Sequence, residues 1–398
     1  MSFGFQFDDS EMDDEYLSSS NPPIEPSAPS ASTSTQASAS TAAAIPFQSH
    51  SMNDMLQHLP SRISYSTIDV SLPSASGEAR TRVQRLLRRD LFDARFQMLL
   101  DEDDEDEEDG AGQTNGAKQQ QQGRGHVDAD SDLIPGVYEG GLKTWECALD
   151  LVEVLDAMHT TATSSTPSSW SSRLSGKHIL ELGCGTALPT LFILDQLLHE
   201  PPALPSGLDL TLHLADYNAQ VLQLVTLPNL ILTWYASPAS AHFRTTTEAS
   251  HLAHERHELE RRGQDHFDTD NELAITDALV GAFAESLTAR GIRLEFYSGA
   301  WSTFPPAAQR MDLVLTSETI YSLDSLAALV QLLSRYARPH GTPEAGLVLV
   351  AAKVIYFGVG GGVESFKQVL AHMQPAAAVE TLHSVTRGVG RTVLSVTF

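Results

Sequence analysis

An α/β fold, a mostly parallel sheet with helices on both faces, is predicted by three features of this 398-residue chain. The run His178-Ile179-Leu180-Glu181-Leu182 reads as a buried strand that breaks into Gly183-Cys184-Gly185-Thr186, and Leu188 to Leu198 follows as a helix. A second apolar run, Leu210 to Ala215, ends directly in Asp216-Tyr217-Asn218. Further apolar runs alternate with helical patterns as far as Phe398, the rhythm of a sheet wound on both sides.

Taken in order, residues 1–132 are poor in long apolar runs and rich in Ser, Ala, Thr, Gln and Asp, and read as a largely disordered acidic arm. Within it, residues 81–100 set Val83, Leu86, Leu87, Leu91, Phe92, Phe96, Leu99 and Leu100 at helical spacing among arginines, which predicts a docked helix. Asp101 to Asp109 is an unbroken run of nine acids, a self-repelling solvated stretch. The folded domain is expected over 133–398. Its first helix runs from Trp145 to Met158, with apolar residues at 145, 148, 151, 152, 155 and 158. After the first two strands, Leu227 to Leu232 leads into a third strand region, and Leu294 to Ser298 reaches a turn at Gly299-Ala300-Trp301. Met311 to Thr316 and Gly346 to Ala352 supply two more strands, and Val379 to Phe398 a closing hairpin. Residues 236–290 interrupt the rhythm as a helical or partly disordered insertion. Its His251, His254 and His257 fan over about 120° of an ideal helix with no cysteine nearby, so they read as a solvated face and no metal is expected.

Composition bounds the function classes. The formal charge of −26 disfavours direct nucleic-acid binding and suits a basic protein partner. Cys147 and Cys184 form no disulfide or metal framework, which favours a reducing compartment. The start lacks a basic segment followed by an apolar stretch, and no apolar run approaches the ~18 residues that a membrane span needs. A soluble monomer in the cytoplasm, the nucleus or both is expected.

The candidate site lies where the first two strands end. Alone, Gly183-x-Gly185 fits a tight turn as well as a ligand cradle. Asp216 favours the cradle, because a carboxylate at the end of the second strand can accept both hydroxyls of a ribose. Thr186, Ala187 and Leu188 follow with no third glycine, so an adenosyl ligand without a pyrophosphate fits better than a dinucleotide.

These features resemble motif I and the following acid of class I S-adenosylmethionine-dependent methyltransferases. The segments Leu133-Ile134-Pro135-Gly136-Val137-Tyr138-Glu139-Gly140-Gly141-Leu142-Lys143-Thr144-Trp145-Glu146, Thr316-Ser317-Glu318-Thr319-Ile320-Tyr321 and Tyr356-Phe357-Gly358-Val359-Gly360-Gly361-Gly362 narrow the resemblance to the histidine protein methyltransferases. It covers residues 133–398 and extends weakly to Arg88 to Arg95. It implies a Rossmann-like, seven-stranded sheet with a reversed last strand, S-adenosylmethionine as cofactor, and a ribosomal large-subunit protein as substrate. By that resemblance Thr144, Trp145, Glu146, Cys147 and Ser317 lie at the cofactor. Glu181, Gly183 and Gly185 are expected around its methionine portion, Asp216 at the ribose, Tyr217 and Asn218 at the adenosine, and Gly299, Ala300 and Trp301 at the adenine. Glu318 and Tyr321 are the candidate catalytic residues. Glu318 would hold the target or its developing charge, and Tyr321 with Tyr356 would wall the acceptor channel. Glu318-Thr319-Ile320-Tyr321 also resembles the D/E-x-x-Y motif of a related lysine methyltransferase group, so lysine methylation is the alternative. A non-catalytic ribosomal-protein binding factor is a third reading. Gly358-x-Gly360-Gly361-Gly362 lacks the Lys-Ser/Thr of a phosphate loop and reads as a substrate-side loop.

Overall fold

Strands that are apolar on both faces need a helical layer on each side, and this dictates the three layers of the protein. The computed structural model describes residues 44–73, 82–95, 97, 140–162, 169–201, 207–248, 271–341 and 345–398. In chain order the elements are β1 (Gln48–His50), α1 (Met52–Gln57), β2 (Arg62–Leu72), β3 (Arg82–Arg89), α2 (Glu146–Ala162), α3 (Trp170–Leu174), β4 (His178–Leu182), α4 (Leu188–His199), β5 (Leu210–Asp216), α5 (Leu227–Ala236), β6 (Glu272–Ala274), α6 (Asp277–Arg290), β7 (Ile292–Ser298), β8 (Leu313–Ser317), α7 (Leu323–Tyr336), β9 (Leu347–Lys353), α8 (Val363–Met373), β10 (Ala378–Val385) and β11 (Arg391–Thr397).

The main sheet runs β1-β7-β5-β4-β8-β9-β11-β10. Its five central strands are parallel, β11 is antiparallel to both of its neighbours, and β1 pairs antiparallel with β7 at one edge. The expected seven strands with a reversed last one are present, and β1 adds an eighth. Alternation along the strands sends Ile179, Leu212, Leu315 and Leu349 into one core, shared with α2, α4, α5 and α6. Leu180, Leu182, Val314 and Val350 enter the opposite core, closed by α7 and α8.

Four expectations are corrected. Arg82 to Arg89 is a strand, not part of a helix over 81–100: eight residues pair in register with β2, from Tyr65 opposite Arg89 to Leu72 opposite Arg82, and β6 completes this three-stranded sheet. Hydrogen bonding to the preceding strand overrides a helical apolar spacing, and among the described residues Leu91 to Arg95 and Gln97 then turn helical. The arginines make local ion pairs, Arg82 with Asp156 (2.6 Å) and Arg85 with Asp69 (2.9 Å). Arg89 is buried and donates to Asp93 (2.7 Å) and to the carbonyl of Leu224 (2.8 Å), which lies in a π turn at Leu222–Thr226 leading into α5. Residues 44–73 and 82–95 are thus folded parts of the domain, unlike the disordered arm expected for 1–132.

The third strand is β7. Leu227 to Leu232 lies in α5, whose residues from Leu227 to Trp234 are all buried, and a run buried on every side carries no periodicity to separate helix from strand. The insertion is also shorter than 236–290, because α6 is a regular crossover helix packed on β7, capped by the Thr276 side chain at its start and Gly291 at its end. The acidic run, Leu133 to Glu139 and the three histidines at 251, 254 and 257 lie outside the described residues.

Candidate active site

Strand order reverses at β4, and there the carboxyl ends of the parallel strands open into one cleft of about 640 Å³. Turns after β4, β5 and β7 bring Gly183, Gly185, Asp216, Tyr217, Ala300 and Trp301 to one half of it. Segments after β8 and β9, with the residues before α2, bring Trp145, Glu318, Tyr321, Lys353, Tyr356 and Val359 to the other half.

The first half fits an adenosyl ligand. Gly183 turns at φ 62°, and a Cβ on it would stand 2.5 Å from the Thr319 methyl, so only glycine leaves this floor open. Asp216 accepts the backbone N–H of Gly185 (2.9 Å) and of Asn218 (3.2 Å), which fixes its carboxylate on the cleft wall. Asn218 reaches back to the carbonyl of Gly140 (3.1 Å). The turn at Gly299 is backed by residues before β1: the N–H of Ala300 and the hydroxyl of Thr303 donate to Ile45 O at 3.0 and 3.1 Å. Phe47 stacks on Tyr297 and meets Phe304 edge-on.

In the second half, Glu318 adopts the left-handed backbone (φ 58°), uncommon for a side chain of its size. Its N–H donates to Ala351 O (2.9 Å), and the Tyr356 hydroxyl donates to Oε2 (2.6 Å). Oε1 is buried without a hydrogen-bond partner, and Lys353 Nζ stands 3.9 Å from it. Burial, then the Glu318 charge, pushes the Tyr356 hydroxyl far above the usual phenol range. The Tyr321 and Tyr356 rings meet edge-on at 6.4 Å. The loop Val354–Gly362 closes on this wall through the N–H of Gly361, which donates to Tyr321 O (3.0 Å), and a Cβ at Gly361 would run into that carbonyl.

The cleft wall therefore gathers Trp145, Gly183, Gly185, Asp216, Tyr217, Ala300, Trp301, Ser317, Glu318 and Tyr321 from the sequence-derived set. Others of the set support that wall from behind. Thr144 bonds to Thr186 (3.0 Å), and the N–H of Gly299 donates to Asp216 O. Cys147 is buried, its thiol pushed up by burial and by the neighbouring Glu318. Glu146 is half exposed and lies 3.6 Å from Lys353. Partial burial raises its carboxyl, but a hydrogen bond from its own backbone and the charges of Lys353, Lys143 and Arg391 outweigh this and hold it below its usual range.

Glu181 departs from expectation. It is not among the residues that line the cleft and accepts the N–H (3.0 Å) and hydroxyl of Thr190, capping the start of α4. Burial pushes its carboxyl up to about 8, against the opposing pull of those Thr190 bonds. Lys143 and Lys353 line the cleft and were not singled out in the sequence. For Lys353 the signal was present: a lysine ends an apolar strand at the edge where ligands bind in such sheets.

Among the described residues no helix is long and apolar enough to cross a membrane, and no group of three or more His, Cys, Asp or Glu could hold a metal ion.

No family model matches the chain. It is 30% identical over 359 residues to histidine protein methyltransferase 1 of Schizosaccharomyces pombe, covering 88% of this chain and 85% of that protein. The protein of the same name from Saccharomyces cerevisiae is 32% identical over 294 residues, 72% of this chain and 68% of its own. A homolog from Bos taurus is 31% identical over 276 residues, 67% of this chain and 58% of its own.

Proposed function

Because the chain belongs to the histidine protein methyltransferase family and uses S-adenosylmethionine, we propose that its cleft methylates a histidine of a basic protein, with Glu318 holding the acceptor ring. The bound cofactor supplies a methyl group already activated on a sulfonium sulfur. Asp216, oriented by two backbone N–H donors, suits the ribose diol, while Gly183 leaves room for the methionine portion and Trp301 flanks the adenine.

The reading rests on one observation: Glu318 lines the second half of the cleft with Oε2 tied to Tyr356, while Oε1 makes no close hydrogen bond and has only the Lys353 ammonium at 3.9 Å. A buried carboxylate oxygen with only a long ion-pair contact gains from a ligand donor at hydrogen-bond distance. A neutral imidazole has one N–H to give and one lone pair to use. Donation of the N–H to Glu318 fixes the tautomer and turns the other nitrogen toward the cofactor half. Methylation then leaves an imidazolium, whose charge the same carboxylate stabilises until the ring proton is lost to solvent. An imidazole pKa of ~6.5 leaves most of the acceptor nucleophilic at neutral pH, so no strong base is required.

The substrate we favour is a protein of the large ribosomal subunit. The net charge of −26 favours such a basic partner through steering and disfavours nucleic acid. Around the cleft mouth Leu323, Ile355, Phe357 and Val359 are exposed, Phe357 by 85%, which suits an apolar contact with that protein. We also propose a monomer acting in the cytoplasm and nucleus, where two buried free thiols remain reduced. Transfer from labelled S-adenosylmethionine into isolated large-subunit proteins, followed by hydrolysis, should yield labelled methylhistidine. Labelled methyllysine alone would refute the assignment.

A further inference from the structure

Lys353, the last residue of β9, carries an ammonium into the acceptor half of the cleft. Its Nζ lies 3.9 Å from Glu318 Oε1, 3.6 Å from Glu146 Oε2 and 4.7 Å from the centre of the Trp145 ring. The side chain is only 18% exposed, so these contacts are made largely out of water. Glu318 follows β8, and Glu146 and Cys147 open α2. Lys143, before α2, also stands 4.7 Å from the Trp145 ring centre. Tyr356 hydrogen-bonds Glu318. Arg391 lies opposite Lys353 on β11 and is held by both oxygens of Asp150 at 2.6 and 3.1 Å.

Immediately around Lys353, Glu318 and Glu146 face Lys353 and Lys143, and Arg391 is matched by Asp150. Asp324, in the first turn of α7, adds a further carboxylate to the cleft lining. Without the Lys353 ammonium these carboxylates would draw in a cationic side chain. A lysine acceptor is an ammonium at neutral pH, with a pKa near ~10.4, and would enter beside a resident ammonium. An imidazole near ~6.5 enters neutral.

We propose that Lys353 is a specificity-determining residue: its ammonium, held against Glu318 and Trp145, excludes cationic side chains from the acceptor site and admits the neutral imidazole. The inference rests on the histidine-acceptor reading above. It gives Lys353 a second effect, since the same charge disfavours protonation of a bound imidazole and keeps the ring in its nucleophilic form. It also accounts for a Glu-x-x-Tyr sequence shared in pattern with lysine-directed enzymes standing in a site that takes histidine: the cation beside Glu318 distinguishes the two.

The test uses the full-length enzyme with Lys353→Met and Lys353→Arg variants. The acceptors are a synthetic peptide around the labelled histidine and a counterpart with lysine at that position. Turnover is followed against pH, and cofactor affinity is measured by calorimetry. In Lys353→Met, Glu318 faces the bound ring unopposed, so the acid limb of kcat should move up by about one pH unit. Methylation of the lysine peptide should rise at least tenfold relative to the histidine peptide, with cofactor affinity unchanged within about twofold. Lys353→Arg keeps the charge and should keep both the limb and the selectivity. An unmoved limb with no gain on the lysine peptide would overturn the proposal. So would a Lys353→Arg variant that behaves as Lys353→Met, or a loss of cofactor affinity that accounts for the whole effect. Wild-type enzyme that methylates only the lysine peptide would overturn the histidine reading itself, and this inference with it.

Discussion

Replacing Tyr356 by Phe removes a single oxygen and tests whether Glu318 acts from a fixed position. The Tyr356 hydroxyl donates to Glu318 Oε2 at 2.6 Å and accepts the N–H of Lys353 at 3.3 Å, so it ties the carboxylate to the end of β9. A hydrogen bond to a charged acceptor contributes roughly 1.5–3 kcal/mol, and removing the donor leaves a buried carboxylate oxygen unpaired. Glu318 already holds a left-handed backbone that costs about 1–2 kcal/mol and needs its contacts to persist. Freed at Oε2, the side chain can swing away from the acceptor position. If the full hydrogen-bond contribution is lost in the transition state, the rate of methyl transfer falls roughly 10- to 150-fold, at about 1.36 kcal/mol per factor of ten. The assay is a single-turnover measurement with histidine peptide at saturating cofactor, with calorimetric titration of the cofactor alongside. An unchanged single-turnover rate would show that Tyr356 does not position the carboxylate. A fall in cofactor affinity matching the fall in rate would place the tyrosine on the wrong half of the cleft.

Asp216→Ala removes the acceptor for the ribose and leaves the N–H of Gly185 buried without its partner; calorimetry should find cofactor affinity lowered by about two orders of magnitude or more, and wild-type affinity would refute the role. Glu181 has a folded-state pKa of about 8 against 4.5 as the ordinary value, so its contribution to stability is fully present below about pH 4.5 and is lost as pH rises through about 8. Urea midpoints of Glu181→Gln should therefore show a weaker decline than wild type across that window, and parallel declines would contradict it. Phe357→Ser should raise KM for the protein acceptor severalfold while leaving a short histidine peptide unaffected; equal effects on both would remove the rim from substrate contact.

Much of the sheet was legible because parallel strands write themselves locally, as apolar runs that stop at a glycine or an acid. Gly183, Asp216 and Glu318 stand at such stops, which is why the cleft could be outlined from them. What was missed lay in tertiary context. The residues of β3 have a helical spacing, and only pairing with β2, which the composition of the arm hid, makes them a strand. The α5 helix is buried all round and so lost its period. Glu181 looked like a ligand because it is acidic and two residues from Gly183. It is still inside the strand, however, where alternation sends it toward α4, and only residues past the strand end reach the cleft. Lys353 was overlooked because an apolar strand ending in lysine has no motif, although its position at the ligand edge is what matters.

The contact between Ile45 and the turn at Ala300 joins points 255 residues apart in the sequence, and β1 reaches β7 over a similar span, with His50 bonding Ser298 at 2.8 Å. A ribosome making this chain at about 5–20 residues per second emits the two parts of the wall at the Gly299 turn in two instalments, the second roughly 13–50 seconds after the first. Until β7 has emerged, residues 44–50 have no strand to join, and this side of the cleft is incomplete. Ligand stabilisation therefore arrives late and all at once, after the slow, non-local pairing is done. The cofactor can select finished molecules but cannot assist the growing ones, so the emerging chain must stay soluble through that interval without its help.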